Sequence, residues 1–128
     1  MIVRRDVLRL ALLAPLFGAG PLRGRAQAFR PGRAVLVAGE GLQEPFGVDF
    51  DQAGHTHIVE MAGNRVRVLE RDGTLRVVAG TGEKGAAGLG GPADHCQLNR
   101  PHGARAHPST GAIYVSDSDN HRVIRVER

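Results

Sequence analysis

One stretch of the chain occurs twice, and this repeat limits the folds that the chain can adopt. Leu42–Gly47 reads LQEPFG and Leu98–Gly103 reads LNRPHG, an offset of 56 residues that becomes 57 further along. The later matches are Gly54 with Gly111, Ile58 with Val115, Glu60 with Asp117, Arg65-Val66 with Arg122-Val123 and Glu70-Arg71 with Glu127-Arg128. Self-similarity at a fixed period is typical of an architecture built from repeated structural units. We place the repeats at about residues 42–71 and 98–128.

Within each repeat, apolar and charged residues alternate with a period of two, which is the pattern of a half-buried β-strand. Asp72-Gly73 separates two such runs and is the strongest short-range signal for a hairpin. The eight strands expected are Ala34–Ala38, Gly47–Asp51, His55–Val59, Arg65–Glu70, Thr74–Ala79, Ala104–His107, Ala112–Ser116 and Arg122–Glu127. No helical period is evident after residue 28, so the rest of the chain is predicted to be all-β.

Four short strands per unit, joined by glycine turns, favour a β-propeller, in which each repeat forms one blade. The sequence resembles the NHL-repeat propellers of bacteria. The matching stretches are Val78–Gly85, Gly90–Ala93, Gln97–Gly103, Ile113–Asp117 and Asn120–Ile124, the last of which contains the Asn-His element of that family. The resemblance implies about two four-stranded NHL-type blades within residues 29–128, with a glycine-rich inter-blade loop at residues 80–97.

Two blades cannot close a ring, because closed propellers typically contain four to eight. In propeller order, the chain supplies one outermost strand, then a complete blade, then a blade that lacks its outermost strand. A truncated or split gene and a fragment of a larger propeller both explain this order. Self-association through the open blade edges also explains it, with Ala34–Ala38 of one copy completing the second blade of another. Three copies would then make a six-bladed ring.

The first 28 residues are predicted to be an export signal of the twin-arginine type. Arg4 and Arg5 precede the apolar stretch Leu10–Gly20, and Ala26 and Ala28 form an A-x-A cleavage site. An apolar stretch of this length is too short to span roughly 30 Å of hydrocarbon, so no stable membrane span is expected. The mature protein is therefore expected to be periplasmic or secreted.

The net charge of +4 also belongs to this segment. Five of the 17 basic residues and one of the 13 acidic residues precede Phe29, which leaves 12 of each in the remainder. This balance gives no electrostatic case for nucleic-acid binding. The single cysteine excludes an intramolecular disulfide and a Cys-cluster zinc site.

Five residues near the strand ends are candidates for a functional role. Glu60 and Asp117 occupy matching positions after the second strand of each repeat, and Asn120 and Arg122 follow Asp117. In the family pattern such an acid braces the turn through hydrogen bonds and an ion pair, although it could instead face the central channel and bind a ligand or a cation. His102 is the fifth candidate, because the first repeat has Phe46 there and the scaffold does not require a histidine.

Two other features invite a metal or redox hypothesis. His55 and His57 lie two residues apart on a predicted strand and so share a face, where they could bind a metal together. Because no carboxylate or cysteine stands beside them at ligand spacing, we expect a solvated strand face instead. Cys96 has no partner motif and is expected to be a small buried residue.

The predicted function is that of an exported, non-catalytic binding or scaffold domain for a protein or carbohydrate-type ligand. The alternative is a fragment or subunit of a metal-dependent six-bladed enzyme, such as a gluconolactonase-like hydrolase or a peptidyl-amidoglycolate lyase. Such enzymes gather the ligands of a divalent metal from several blades, so no cofactor is expected from this chain alone. The residues leave the ligand unidentified.

Overall fold

A computed structural model describes residues 32–127 of the protein. The export signal predicted for residues 1–28 lies outside the described residues. The compact unit that begins at Val35 contains all the regular structure reported below.

Within residues 32–127, seven antiparallel strands form two sheets. The strands are β1 Pro45–Phe50, β2 Thr56–Glu60, β3 Arg65–Leu69, β4 Leu75–Ala79, β5 Gly103–Ala106, β6 Ile113–Asp117 and β7 Arg122–Val126. Strands β1 to β4 pair in chain order to form blade 1, and β5 to β7 pair in chain order to form blade 2. The only helical elements among residues 32–127 are single 3-10 turns at Ala93–His95 and Ser118–Asn120. The fold is therefore all-β and consists of partial propeller blades.

Seven of the eight predicted strands are present, with ends within two residues of the predicted ones. The expectation of a strand at Ala34–Ala38 is wrong, because these residues form no strand in the structure. Val35, Leu36 and Val37 are 66%, 85% and 71% exposed. A strand needs a neighbour to accept its hydrogen bonds, and none of the described residues pairs with this segment.

The hydrophobic core lies between the two blades. Val59 and Val66 face it from blade 1, and Val115 and Ile124 face it from blade 2. Leu98, from the loop that joins the blades, is fully buried in the same cluster, together with Cys96. The burial of Cys96 confirms the prediction made for it. The two sheets thus pack face to face, as neighbouring repeats do when each has an apolar face that it cannot bury alone.

The repeat extends to backbone conformation. Four described residues other than glycine have positive φ, and they form two matched pairs. Glu44 and Arg100 have φ of 49° and 46°, and Asn64 and His121 have φ of 46° and 52°. The offsets are the same 56 and 57 residues found in the sequence. Since positive φ is uncommon for residues with a side chain, the blades share unusual turn geometry as well as strand order.

The inter-blade loop begins at a position that only glycine can occupy. Gly80 has φ of +90°, and a Cβ built there would lie 2.4 Å from the carbonyl oxygen of Asn64. Its amide donates to the carbonyl of Ala93, which turns the chain away from β4 and into the loop. The glycine therefore allows the outermost strand of blade 1 to end against the start of β3.

Candidate functional site

The acid cluster of blade 2 is centred on Asp117, whose side chain is fully buried. Its Oδ1 accepts a hydrogen bond from the backbone N of Asn99 at 2.7 Å. Its Oδ2 accepts two more at 2.8 Å, from Nδ2 of Asn120 and Nε of Arg122. A carboxylate has about four acceptor positions, so three donors occupy most of its capacity.

Blade 1 contains a matching acid cluster centred on Glu60, which is also fully buried. Its Oε1 accepts a hydrogen bond from the backbone N of Gln43 at 2.7 Å, and its Oε2 accepts one from Nε of Arg65. Gln43 and Arg65 are the repeat partners of Asn99 and Arg122. The same two kinds of donor therefore recur around a longer acid, without a counterpart to Asn120 but with Nη1 of Arg67 at 3.8 Å from Oε1.

Asn120 and Arg122 also connect the blade 2 cluster to the glycine-rich loop. Nδ2 of Asn120 donates to the carbonyl of Gly85 at 2.7 Å. The two terminal nitrogens of Arg122 donate to the carbonyls of Ala86 and Gln97 at 3.0 and 3.1 Å. A guanidinium carries five N–H donors in a fixed fork, which suits it to several acceptors at once.

His102 lies where the innermost strands of the two blades begin. Its ring meets the ring of Phe46 edge to face, with centroids 4.6 Å apart and planes at 87°. Its backbone N donates to the carbonyl of Ser116 at 3.1 Å. The two repeat partners thus contact each other across the blades, and His102 is half-buried.

The expectation that His55 and His57 form a solvated face is wrong. The side chain of His57 is 1% exposed, because β2 lies in the middle of its sheet and this face points toward blade 2. The expectation of no nearby carboxylate is also wrong. Oδ2 of Asp51 lies 3.0 Å from Nδ1 of His55 and 3.6 Å from Nε2 of His57, and Glu70 Oε2 lies 3.5 Å from Nε2 of His55.

A local signal in the sequence was available for Asp51. Its Oδ1 accepts hydrogen bonds from the backbone N of Ala53 and of His55, at 3.0 and 2.9 Å, across the turn between β1 and β2. This is the behaviour of an aspartate that closes a turn upon its own backbone. An Asp placed just before a Gly-containing turn therefore predicts a carboxylate beside the first residues of the next strand.

These histidines border an inter-blade cleft of about 460 Å³. Its polar lining consists of His55, His57, Glu70, Arg76, Asp94 and Glu127, and the buried apolar side chains below it include Val68, Ile113 and Val126. Arg76 donates twice to one oxygen of Glu70, at 2.9 and 3.2 Å. Sequence reasoning missed the cleft because residues from both blades and the loop meet there only after folding.

The cleft and the acid clusters lie at opposite ends of the strands. The two histidines of the cleft lie at the start of β2 and Glu70 lies just after the end of β3, whereas Glu60 ends β2 and Arg65 begins β3. The predicted site residues are therefore not brought to the cleft. Within residues 32–127, no group of three or more His, Cys, Asp or Glu side chains is arranged to hold a metal ion.

Two further properties bear on the chemistry of the described residues. Burial is the main cause that raises the pKa of the Cys96 thiol above its ordinary value, and a thiol that stays protonated is a poor nucleophile. No helix in residues 32–127 is long and apolar enough to cross a membrane.

Comparison with known proteins agrees with the blade architecture. A family model described as NHL repeat matches residues 98–125. A solved structure of an auxiliary nutrient binding protein from Bacteroides thetaiotaomicron VPI-5482 is similar, with a TM-score of 0.51 and 18% identity. The match covers 67% of this chain and 24% of that one, so the chain corresponds to about a quarter of that protein. No curated protein matches the sequence. At this identity, the structural likeness shows the fold alone.

Proposed function

From the premise that the chain contains an NHL repeat within a propeller-type fold, we propose that it is an exported, non-catalytic binding or scaffold module. The burial and hydrogen bonding of the two acids at matching positions in the repeats, Glu60 and Asp117, support this proposal. Glu60 and Asp117 are both fully buried and held by backbone amides and arginines. Acids that are used in this way brace the turns and are not free to act as a general acid or base, which must reach a substrate proton.

The ligand surface that we propose is the inter-blade cleft. It combines two histidines, three carboxylates and Arg76 above an apolar floor, and ligand sites are typically apolar pockets with a few well-placed polar groups. A protein or carbohydrate-type ligand fits this description. No Phe, Tyr or Trp lines the described cleft, and charges of both signs surround it, which favours a peptide segment over a sugar.

The comparisons and the N-terminal sequence support the biological setting of the proposal. The similar structure is titled a nutrient binding protein, so a binding role has a precedent on this fold. The paired arginines and apolar stretch of residues 1–28 support export to the periplasm or beyond. Neither observation names the ligand, which needs a direct search.

The experiment is a binding screen with residues 29–128, using a glycan array and an immobilised peptide library as probes. We expect hits whose affinity, measured by calorimetry, falls at least tenfold in Arg76→Ala. The matched control is Lys84→Ala, which removes an exposed cation from the loop and should leave the affinity unchanged. Equal losses in both variants would place binding elsewhere.

Catalysis is tested on the same preparation. Metal analysis and a lactone-hydrolysis screen should give no stoichiometric divalent metal and no turnover. A bound metal together with lactone hydrolysis would overturn the non-catalytic proposal and support the metal-dependent propeller enzyme instead.

A further inference from the structure

The segment Ala34–Ala38 has the sequence of an outermost strand but no sheet. Val37-Ala38-Gly39 repeats Val78-Ala79-Gly80, which ends β4 on the outside of blade 1. In blade 1 these residues are covered: Ala79 is fully buried, and Val78 packs against the core. Leu36 and Val37 are exposed, whereas their counterparts in the paired strand β4 are partly buried.

Blade 2 has an unpaired strand edge at β7. In blade 1 the matching strand β3 pairs with β4, whereas no strand among residues 32–127 pairs with the outer edge of β7. Val66 on β3 is fully buried, but the matching Val123 on β7 is 67% exposed. An unpaired edge with exposed apolar side chains is a template for another strand.

A third surface, on β1, also exposes large apolar side chains. Val48 and Phe50 are large exposed side chains on the face of β1 that points away from blade 2. Phe46 is exposed at the start of the same strand, although one edge of its ring contacts His102. We call this face of β1 the front face of blade 1. The corresponding positions of blade 2, His102, Ala104 and Ala106, are partly covered where blade 1 packs against them. The front face is thus the side on which a preceding blade would pack.

We infer that a second copy of this chain satisfies all three surfaces at once, and that the copies associate head to tail. Ala34–Ala38 of the first copy becomes the fourth strand of blade 2 in the second copy. The front face of the first copy then packs on the outward face of that blade, which is the side that points away from blade 1 of the second copy. This inference goes beyond the proposed binding function and does not depend on it.

The pairing in blade 1 specifies the register. There Val66 lies opposite Ala79, Arg67 opposite Val77 and Val68 opposite Arg76. The repeat transfers these pairs to the contact between two copies. Ala38 is expected opposite Val123, Leu36 opposite Ile124 and Val35 opposite Arg125.

The connection is long enough for this arrangement. From Ala38 to Pro45 the chain takes seven steps, which span up to roughly 24 Å when extended. Crossing from the outermost to the innermost position of the next blade covers three strand spacings and one sheet spacing, or about 17 Å. The segment can therefore leave its own blade 1 and complete a neighbouring blade.

The outward face of blade 2 has suitable chemistry for the front face. It presents Tyr114, Val123 and Arg125, all exposed, and aromatic side chains and arginine are enriched at protein interfaces. A head-to-tail contact closes into a ring when its rotation permits. With two blades in each copy and four to eight blades in a usual ring, the assembly would hold two to four copies.

The first experiment tests the register by disulfide trapping in residues 29–128 carrying Cys96→Ala. Ala38→Cys and Val123→Cys are purified separately, mixed and oxidised. We expect a covalent dimer in the mixture and none in either variant alone, because only the mixed pair is brought to disulfide distance between copies. Arg125→Cys mixed with Ala38→Cys is the off-register control. Trapping of the control as strongly as the designed pair, or no trapping of either, would overturn the inference.

The second experiment measures the oligomeric state by size-exclusion chromatography with light scattering. The unmodified residues 29–128 should form a particle of two to four copies. Leu36→Asp should reduce it to a monomer, whereas Leu89→Asp, which changes another exposed leucine, on the inter-blade loop, should not. A monomeric unmodified chain, or an assembly that survives Leu36→Asp, would overturn the inference. Ligand binding by the Leu36→Asp monomer would leave the cleft proposal intact.

Discussion

Each blade holds a buried acid that accepts hydrogen bonds from a backbone amide and an arginine, but the acid and its neighbours differ between the blades. Blade 1 uses Glu60 and has Gly63 three positions later, whereas blade 2 uses Asp117 and Asn120. A Cβ at Gly63 would lie 2.8 Å from Cβ and 3.3 Å from Cδ of Glu60, so blade 1 has no room for a side chain there. In blade 2 the acid is one carbon shorter, and the 3-10 turn at Ser118–Asn120 places the side chain of Asn120 where it fastens the loop at Gly85. The two repeats therefore share the hydrogen bonds to the acid, while blade 1 combines a larger acid with glycine and blade 2 combines a smaller acid with asparagine.

The largest expected effect comes from removing the acid of blade 2. Asp117→Ala leaves Arg122, the amide of Asn99 and the side chain of Asn120 without their shared acceptor. Breaking a buried charge pair in this way costs about 3–5 kcal/mol. Urea denaturation followed by circular dichroism measures the loss. Glu60→Ala should lose about 1 kcal/mol less, because blade 1 has a 3.8 Å contact with Arg67 where blade 2 has the 2.8 Å hydrogen bond from Asn120. Equal losses would contradict the difference between the blades.

A volume exchange tests the comparison directly. Gly63→Asn should destabilise the protein by about 1–3 kcal/mol, the usual cost of overpacking. Combining it with Glu60→Asp gives these two positions the residues of blade 2 and removes the 3.3 Å contact with Cδ. The pair should therefore be more stable than the sum of the single changes predicts. A double-mutant cycle measures this coupling. Strict additivity would show that the two positions do not share the space.

A smaller effect is expected from shortening the arginine fork. Arg122→Lys loses the contacts with Ala86 and Gln97 and should lower the free energy of unfolding by about 1–2 kcal/mol. Arg65→Lys is the matched control, since its hydrogen bonds run to Glu60 alone among those found for its side chain. Thermal unfolding of both variants should show the larger decrease for Arg122→Lys. The reverse order would mean that the loop contacts of Arg122 contribute nothing to the free energy of unfolding.

The smallest effect concerns pH and the packing between the blades. Burial raises the pKa of Cys96, so as pH rises the thiol ionises first in the unfolded chain. The unfolded state is then favoured, and stability should decline once the pH passes the ordinary thiol pKa of about 8.5. Cys96→Ala should show a shallower decline between pH 8 and 10. A disulfide reagent should modify the folded thiol far more slowly than the unfolded one. Fast modification in the folded state would show that the blades do not close over it.

Local patterns in the sequence were sufficient for most of the fold. The alternation in β3 and β7, and Asp72-Gly73 between β3 and β4, depend on near neighbours in the chain, and the structure places these elements within two residues of their predicted ends. The strand predicted at Ala34–Ala38 failed for a different reason. Its composition suits a strand, but the partner that would pair with it is absent from the described residues.

The candidate site was less predictable, because burial there depends on distant residues. His57 was expected in solvent, yet the core between the blades covers its face of β2. The matching positions of Glu60 and Asp117 identified the two acids, but the donors from Gln43 and Asn99 lie 17 and 18 residues away. The cleft joins residues from position 55 to position 127. A period of two residues contains no information about contacts of that range.

The two backbone amides that serve the buried acids have a spectroscopic consequence. The N–H groups of Gln43 and Asn99 each point at an oxygen of a buried carboxylate, 2.7 Å from the amide nitrogen. Short bonds to a charged acceptor are strong, and such protons resonate downfield of the amide envelope and exchange slowly with water. Because one belongs to each blade, a two-dimensional NMR spectrum would follow the opening of either blade by itself, without any added label.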